Sequence, residues 1–458
     1  MNIVSQNYNN LLKNIILEAF SSNLECILHN NINSSNNVFN YVNLLSNLDN
    51  TLCDIAKQSL ISCFESIDKS FKVSLERKRK YEIKSYHPRT ILTIFGEITF
   101  YRTFYKSKLS GENYCYIDRF LGLHKYDYFD PYLKALVIQY SSNNSYPKVA
   151  KYLNDLIGNR VSINEKQKYF SRQTIRNILL KANLSNTEFK QKNYTPNTLY
   201  IIADEKWIPT QNNDNKKVME KSVVIFEGIN NHKILNKMVF ASNDNSFLDD
   251  SINYIYNTYD INKIKNLFIM GDGAKWIKKL KYEYKLSSHI NVTFCLDKFH
   301  FKQAIHHICL NKDLEDILTF YVLNNMKDDF KMCCLSLIES FSHRKETIET
   351  KMNYILNNWK NINNLYTNNL SCPMESQISH NIADLFTSRP KAYSINMINK
   401  LMKIRLHYKN GNNLKELYLN NFNSNTTLTF NKDFLNFNIF DKTSYYNYLN
   451  NKIYNPTF

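Results

Sequence analysis

Near Thr198 the spacing of apolar residues changes from steps of three and four to short continuous or alternating runs, and this change constrains the fold more than any other feature of the 458-residue chain. Leu199–Asp204, Lys221–Glu227 and Lys233–Phe240 are three consecutive runs rich in β-branched and aromatic residues, each of strand length. A helical stripe of Phe247, Leu248, Ile252, Ile255, Tyr256 and Tyr259 follows between about Ser246 and Tyr259. Two more apolar runs, Asn266–Asp272 and Val292–Asp297, each end in an acid. The expected order is β-β-β-α-β-α-β.

A three-strand meander followed by parallel strands separated by helices is the order of the ribonuclease-H-like fold, so an α/β core of that kind is expected over 196–300. In such a sheet the strands that end at Asp204 and Asp272 are neighbours, and both carboxylates emerge at one edge. Two divalent ions about 4 Å apart need shared oxygen ligands of this sort, with magnesium (or manganese) the natural ion. Acids also close apolar runs at ordinary turns, which is the plain alternative for either residue. A third ligand has to come from elsewhere. Glu375 opens a helical pattern whose stripe is Met374, Ile378, Ile382 and Leu385; it also reads as a first-turn glutamate favoured by the helix dipole. Behind it, residues 386–410 hold six Lys/Arg, including Arg389 and Lys391, and no acid. Phosphates near an acidic metal site would require that compensation. Asp297 is the rival third ligand, and His300, three residues on, is either an auxiliary group or a structural histidine.

The remaining chain is mostly helical in pattern. Residues 1–70 read as helices, 301–370 as an all-helical insertion, 371–410 as a core helix with its basic segment, and 411–458 as a weakly patterned tail. Region 71–128 differs. Its stretch Phe71–Ser110 carries ten Lys/Arg, among them Arg77, Lys78, Arg79, Lys80 and Arg102, against three acids. Two β-rich runs meet there about Gly96, as in a hairpin. A basic hairpin with exposed Tyr and Arg suits a DNA backbone, or is a solvated face on a packing element. Over 129–195 a helix begins at Pro131, a shorter one spans Tyr146–Leu153, and a third starts behind Ser171 as N-cap, with Arg172, Gln173 and Arg176 near its outer face. The last two resemble a helix-turn-helix with an overlong turn, for which base reading and plain packing are both open. The fold class expected of the whole is α+β and multidomain, with a mainly helical DNA-binding region and a basic β-hairpin ahead of the catalytic core.

Charge narrows the partners. A formal net charge of +17 favours polyanions, and double-stranded DNA is the first to test. No apolar run reaches the roughly 20 residues of a spanning helix, and the polar start of the chain lacks signal-peptide order, so a cytoplasmic, nucleoid-associated protein without membrane contact is expected. Nine cysteines without a C-x-x-C pair read as reduced thiols rather than a zinc site.

Several segments together resemble the insertion-sequence transposases of the ISLre-two family, relatives of the Mutator-like transposases. They are Thr93–Arg102, Tyr114–Gly122, Ile202–Glu205, Gly271–Ile277, Leu296–His300 and Glu375–Pro390, in order from about residue 70 to 410. The resemblance implies a metal-dependent Asp-Asp-Glu transposase that binds element ends and target DNA, as a homo-oligomer on DNA, with Asp204, Asp272 and Glu375 as catalytic metal ligands. It also implies that Asp297 and His300 match the signature following the second aspartate in Mutator-like enzymes. The chain departs from the family pattern at Lys206 and Trp207, where acids commonly stand, and around Glu375, where Met374, Ser376 and Gln377 replace a Gly-containing sequence. An inactive DNA-binding descendant and another ribonuclease-H-like nuclease are the competing readings.

Overall fold

The computed structural model describes residues 41–158, 169–184, 189–211, 216–231, 233–368, 370, 382–387 and 392–425. Its chain divides into two compact units, one of residues 1–140, 146–185 and 415–458, the other of 141–145 and 186–414.

In the first unit a 33-residue helix α1 (Tyr41–Val73) and a short basic helix α2 (Leu75–Lys80) precede the hairpin β1 (Tyr81–Thr93) and β2 (Gly96–Ser107). Gly96 takes φ 115° at the turn, a value that L side chains avoid. A third strand, β3 (Asn113–Cys115), pairs with β2, and helix α3 (Tyr116–Phe120) follows. Packing of α1 on the hairpin is aromatic: Phe64 meets Phe100 edge to face, and Phe71 meets Tyr105 in the same way. Buried Asp68 accepts from both the backbone and the hydroxyl of Thr103, at 2.9 and 2.6 Å, which fixes the register of helix on sheet. Helices α4 (Pro131–Ser141), α5 (Tyr146–Gly158) and α6 (Arg172–Lys181) come next, α6 capped by the Ser171 hydroxyl, which accepts from the Thr174 amide at 3.1 Å.

The second unit is built on a five-stranded sheet. Strands β4 (Thr198–Pro209), β5 (Lys217–Phe226) and β8 (Met238–Ser242) are antiparallel, while β9 (Asn266–Gly271) and β10 (Asn291–Leu296) add in parallel beside β4, giving the order β10-β9-β4-β5-β8. The run Lys233–Phe240 is not one strand. Asn236 at φ 51° breaks it, and its first part pairs back as β7 (Lys233–Leu235) on β6 (Gly228–Asn230) in a small separate hairpin. Helices α7 (Ser246–Thr258) and α8 (Lys275–Glu283) cover one face through a core that includes Leu199, Ile201, Val223, Ile255 and Ile277. After β10 come five helices, α9 (Lys298–Ile308), α10 (Lys312–Leu323), α11 (Lys327–Ser340), α12 (Lys345–Asn357) and α13 (Trp359–Thr367), with their own core of residues such as Phe301, Leu318, Phe330, Ile348 and Trp359. The second sheet face, carrying Ile202, Val224, Met270 and Cys295, packs on Leu365 of α13 and Leu406 of α14 (Ile395–Lys409). At the outer edge of β8 the side chain of Asn410 both donates to the Val239 carbonyl, at 2.9 Å, and accepts from its amide, at 2.8 Å. One side chain there supplies the pair of bonds that another strand would make. The helix Leu414–Asn425 ends the described chain.

Candidate functional site: aligned aspartates at the end of the parallel strands

The register brings three acids together. Partner residues on β4 and β9 differ by 68 positions, Ile202 facing Met270, and those on β9 and β10 by 25, Gly271 facing Leu296. Extending both offsets by one or two residues aligns Asp204, Asp272 and Asp297. Each lies two residues beyond Ile202, Met270 or Cys295, which share one core, so the period of two sets all three acids on that face. Asp204 does not end its strand, as the sequence pattern suggests. β4 continues to Pro209 paired with β5 alone, and the acid stands where the parallel neighbour β9 has stopped.

Local structure holds each acid differently. The Asp204 carboxylate accepts from the Glu205 amide at 2.7 Å. Burial pushes its pKa up to about 6, and the nearby Asp272 carboxylate pushes the same way, against that amide and His300. Asp272 caps the following turn, accepting from the Ala274 amide at 2.8 Å, and its carbonyl accepts from the Tyr354 hydroxyl at 2.6 Å. Glycines flank it for steric reasons. A Cβ on Gly271 would stand 2.9 Å from the Ala203 carbonyl oxygen and 2.7 Å from Ile277, and Gly273 takes φ 88° beside Asn358. Asp297 is the N-cap of α9 and is 1% exposed. Its Oδ2 lies 3.1 Å from His300 Nδ1, while buried Oδ1 has no hydrogen-bond partner. The Asp297 hydrogen bond is the chief cause that raises the His300 pKa, helped by the charges of Asp272 and Asp204. On the opposite sheet face, the Trp276 indole donates to Glu205 and ties α8 to β4.

Among the described residues no group of three or more His, Cys, Asp or Glu is placed to hold a metal ion by itself. Glu375, Arg389 and Lys391 lie outside the described residues. The sequence reading missed the supports of this site, Tyr354 and Asn358, because single polar residues in a helical region carry no distinguishing pattern. The Gly-Asp-Gly tripeptide was the available signal.

Of the basic candidates in the first unit, Lys78, Arg79 and Lys80 are exposed, and Lys80 pairs with Glu76 at 2.9 Å. Arg77 is half-buried, its Nε bonded to the Lys72 carbonyl. On α6, Arg172 and Gln173 are exposed and Arg176 is half-buried. Arg102 departs from the expected exposed arginine: it joins Arg89 on Asp118, and both guanidiniums are largely buried. The exposed aromatics of the hairpin are Tyr86 and Tyr101, stacked at 5.2 Å.

The chain is thus an α+β protein whose mixed sheet carries aligned acids where its parallel half ends. It belongs to the uncharacterised protein family UPF0236, whose model matches residues 34–421. UPF0236 protein TTE2489 of Caldanaerobacter subterraneus subsp. tengcongensis is 25% identical over 397 residues, which cover 83% of this chain and 81% of the relative. UPF0236 protein TTE0402 of that organism is 26% identical, covering 83% and 76%. A further relative there, whose name combines eleven TTE designations, is 25% identical and covers 83% and 80%. No described helix is long and apolar enough to cross a membrane.

Proposed function

We propose that this protein is a DNA transposase with a ribonuclease-H-like core, which binds the ends of its own element and cuts and joins DNA strands with magnesium or manganese. The observation that carries the reading is the alignment of Asp204 and Asp272 on one sheet face at the end of the parallel strands. The sheet order, with the meander strands antiparallel and the later two parallel, is the arrangement such a core needs. A relative whose single name combines eleven designations from one organism is what repeated gene copies would produce, and this also supports the reading.

The donor set suits a hard divalent ion, being oxygen-only, and burial together with the charge of the facing Asp272 carboxylate raises the Asp204 pKa. Asp204 and Asp272 would hold the metal, completed by Glu375 from the later helix. Bound there, it would activate water or a 3′-hydroxyl and stabilise the departing oxygen. Asp297 holds the His300 ring, and a protonated His300 would donate to a phosphate oxygen beside the acids. Lys78, Arg79, Arg172 and Gln173 would meet DNA, on a protein that acts as a homo-oligomer near the nucleoid.

The test is cleavage of a labelled element end with Mg²⁺ or Mn²⁺. Asp204→Ala, Asp272→Ala and Glu375→Ala should each abolish cutting and retain end binding in a mobility-shift assay. Undiminished cutting by all three would overturn the proposal. Wild-type binding without cutting would favour an inactive descendant, and preference for a hybrid over duplex ends another nuclease.

A further inference from the structure

A cavity of about 830 Å³ runs along the outer side of β8, between α7 and α14, on the far side of β5 from Asp204's own strand. Its charged lining is mainly acidic: Glu220, Asp244 and Asp250 stand against one lysine, Lys403. His407 also borders it, but burial pulls its pKa down to about 4, which leaves the ring neutral near pH 7. Glu220 is the unusual member. It is 1% exposed and neither carboxylate oxygen makes a well-formed hydrogen bond, although Asn243 lies close enough to offset part of the penalty of burial. Burial of a carboxylate in that state costs free energy and pushes the Glu220 pKa up to about 7.

The rest of the lining says what would relieve it. Asn253 and Asn257 line the cavity from one stripe of α7, and Phe189, Phe240, Met402 and Leu406 supply an apolar wall. We propose that this cavity binds a small organic cation, an amine or guanidinium on a short apolar body, whose N–H donors pair with the Glu220 carboxylate. Two free oxygens on one carboxylate match the paired donors of a guanidinium or the ammonium of an amine. The apolar wall receives the carbon chain, and the aromatic faces favour a cationic head over a neutral one. The site stands apart from the aspartate row, so it does not depend on the transposase reading.

Calorimetric titration of the full chain with butylamine, butylguanidine and the uncharged butanol tests this, with thermal unfolding followed in parallel. Saturable binding of butylamine or butylguanidine, absent for butanol, is expected, and the tighter of the two identifies the head group. Glu220→Gln should weaken it at least about tenfold, the loss of one charge-assisted pair, while melting no lower than wild type. Asn257→Leu, on the exposed-side stripe of α7, should weaken it without removing a charge. Absence of saturable binding by either cation overturns the proposal, as does equal affinity in wild type and Glu220→Gln.

Discussion

Gly271 shows how narrow the tolerance around the aspartate row is. Its missing Cβ leaves room for the Ala203 carbonyl and the Ile277 side chain, so Gly271→Ala forces β4 and β9 apart or displaces α8. The expected cost is about 1–3 kcal/mol, read as a lower denaturant midpoint, and on the proposed function strand cutting should fall more than end binding. Glu220 and His407 make a second residue-scale prediction, because burial acts on them in opposite directions. The Glu220 pKa is raised to about 7 from 4.5, so the native state holds more protons than the unfolded chain between those values, and its contribution to stability is lost as pH rises through them. The His407 pKa is lowered to about 4 from 6.5, so the unfolded chain holds more protons there, and its contribution is lost as pH falls. The two slopes oppose each other near pH 5–6. Glu220→Gln should therefore gain on wild type in urea melts as pH rises from about 4.5 to 7, and His407→Gln should gain as pH falls from about 6.5 to 4. A constant difference across pH would contradict either assignment.

Elements explain what could be read from the sequence and what could not. The runs Leu199–Asp204, Asn266–Asp272 and Val292–Asp297 were legible because a strand buried on both faces needs unbroken apolar residues, and β4, β9 and β10 are such strands. The hairpin about Gly96 was legible for a related reason, since alternation on both sides of a glycine has few other solutions. Lys233–Phe240 misled because Asn236 looks like any polar residue in a strand, whereas its left-handed backbone ends one pairing and begins another. Arg102 misled because sequence gives no sign that Asp118, 16 residues on, gathers two arginines against the hairpin. That ion triad is an element-scale hinge of stability. Asp118→Ala leaves Arg89 and Arg102 largely buried without their acid and should cost about 3–5 kcal/mol in a thermal or urea melt of the whole chain, far more than loss of the exposed Lys80–Glu76 pair. Tyr354 belongs to the same scale. Its hydroxyl ties α12 to the Asp272 carbonyl, and on the proposed function Tyr354→Phe should lower the rate of cutting with little change in end affinity.

At the scale of the whole molecule, a net charge of +17 predicts steep salt dependence of any DNA binding. Replacing Lys78 or Arg79 by Ala should lower the slope of log affinity against log salt by about 1 each, whereas Arg102→Ala, already occupied by Asp118, should act through stability and leave that slope alone. Solution behaviour also depends on the outermost strand of the sheet. Asn410 fills the backbone positions at Val239 that would otherwise template a strand from another molecule. Its amide is a stopper against self-assembly: Asn410→Ala should leave a monodisperse protein that turns, with concentration and time, into one that scatters light and binds thioflavin.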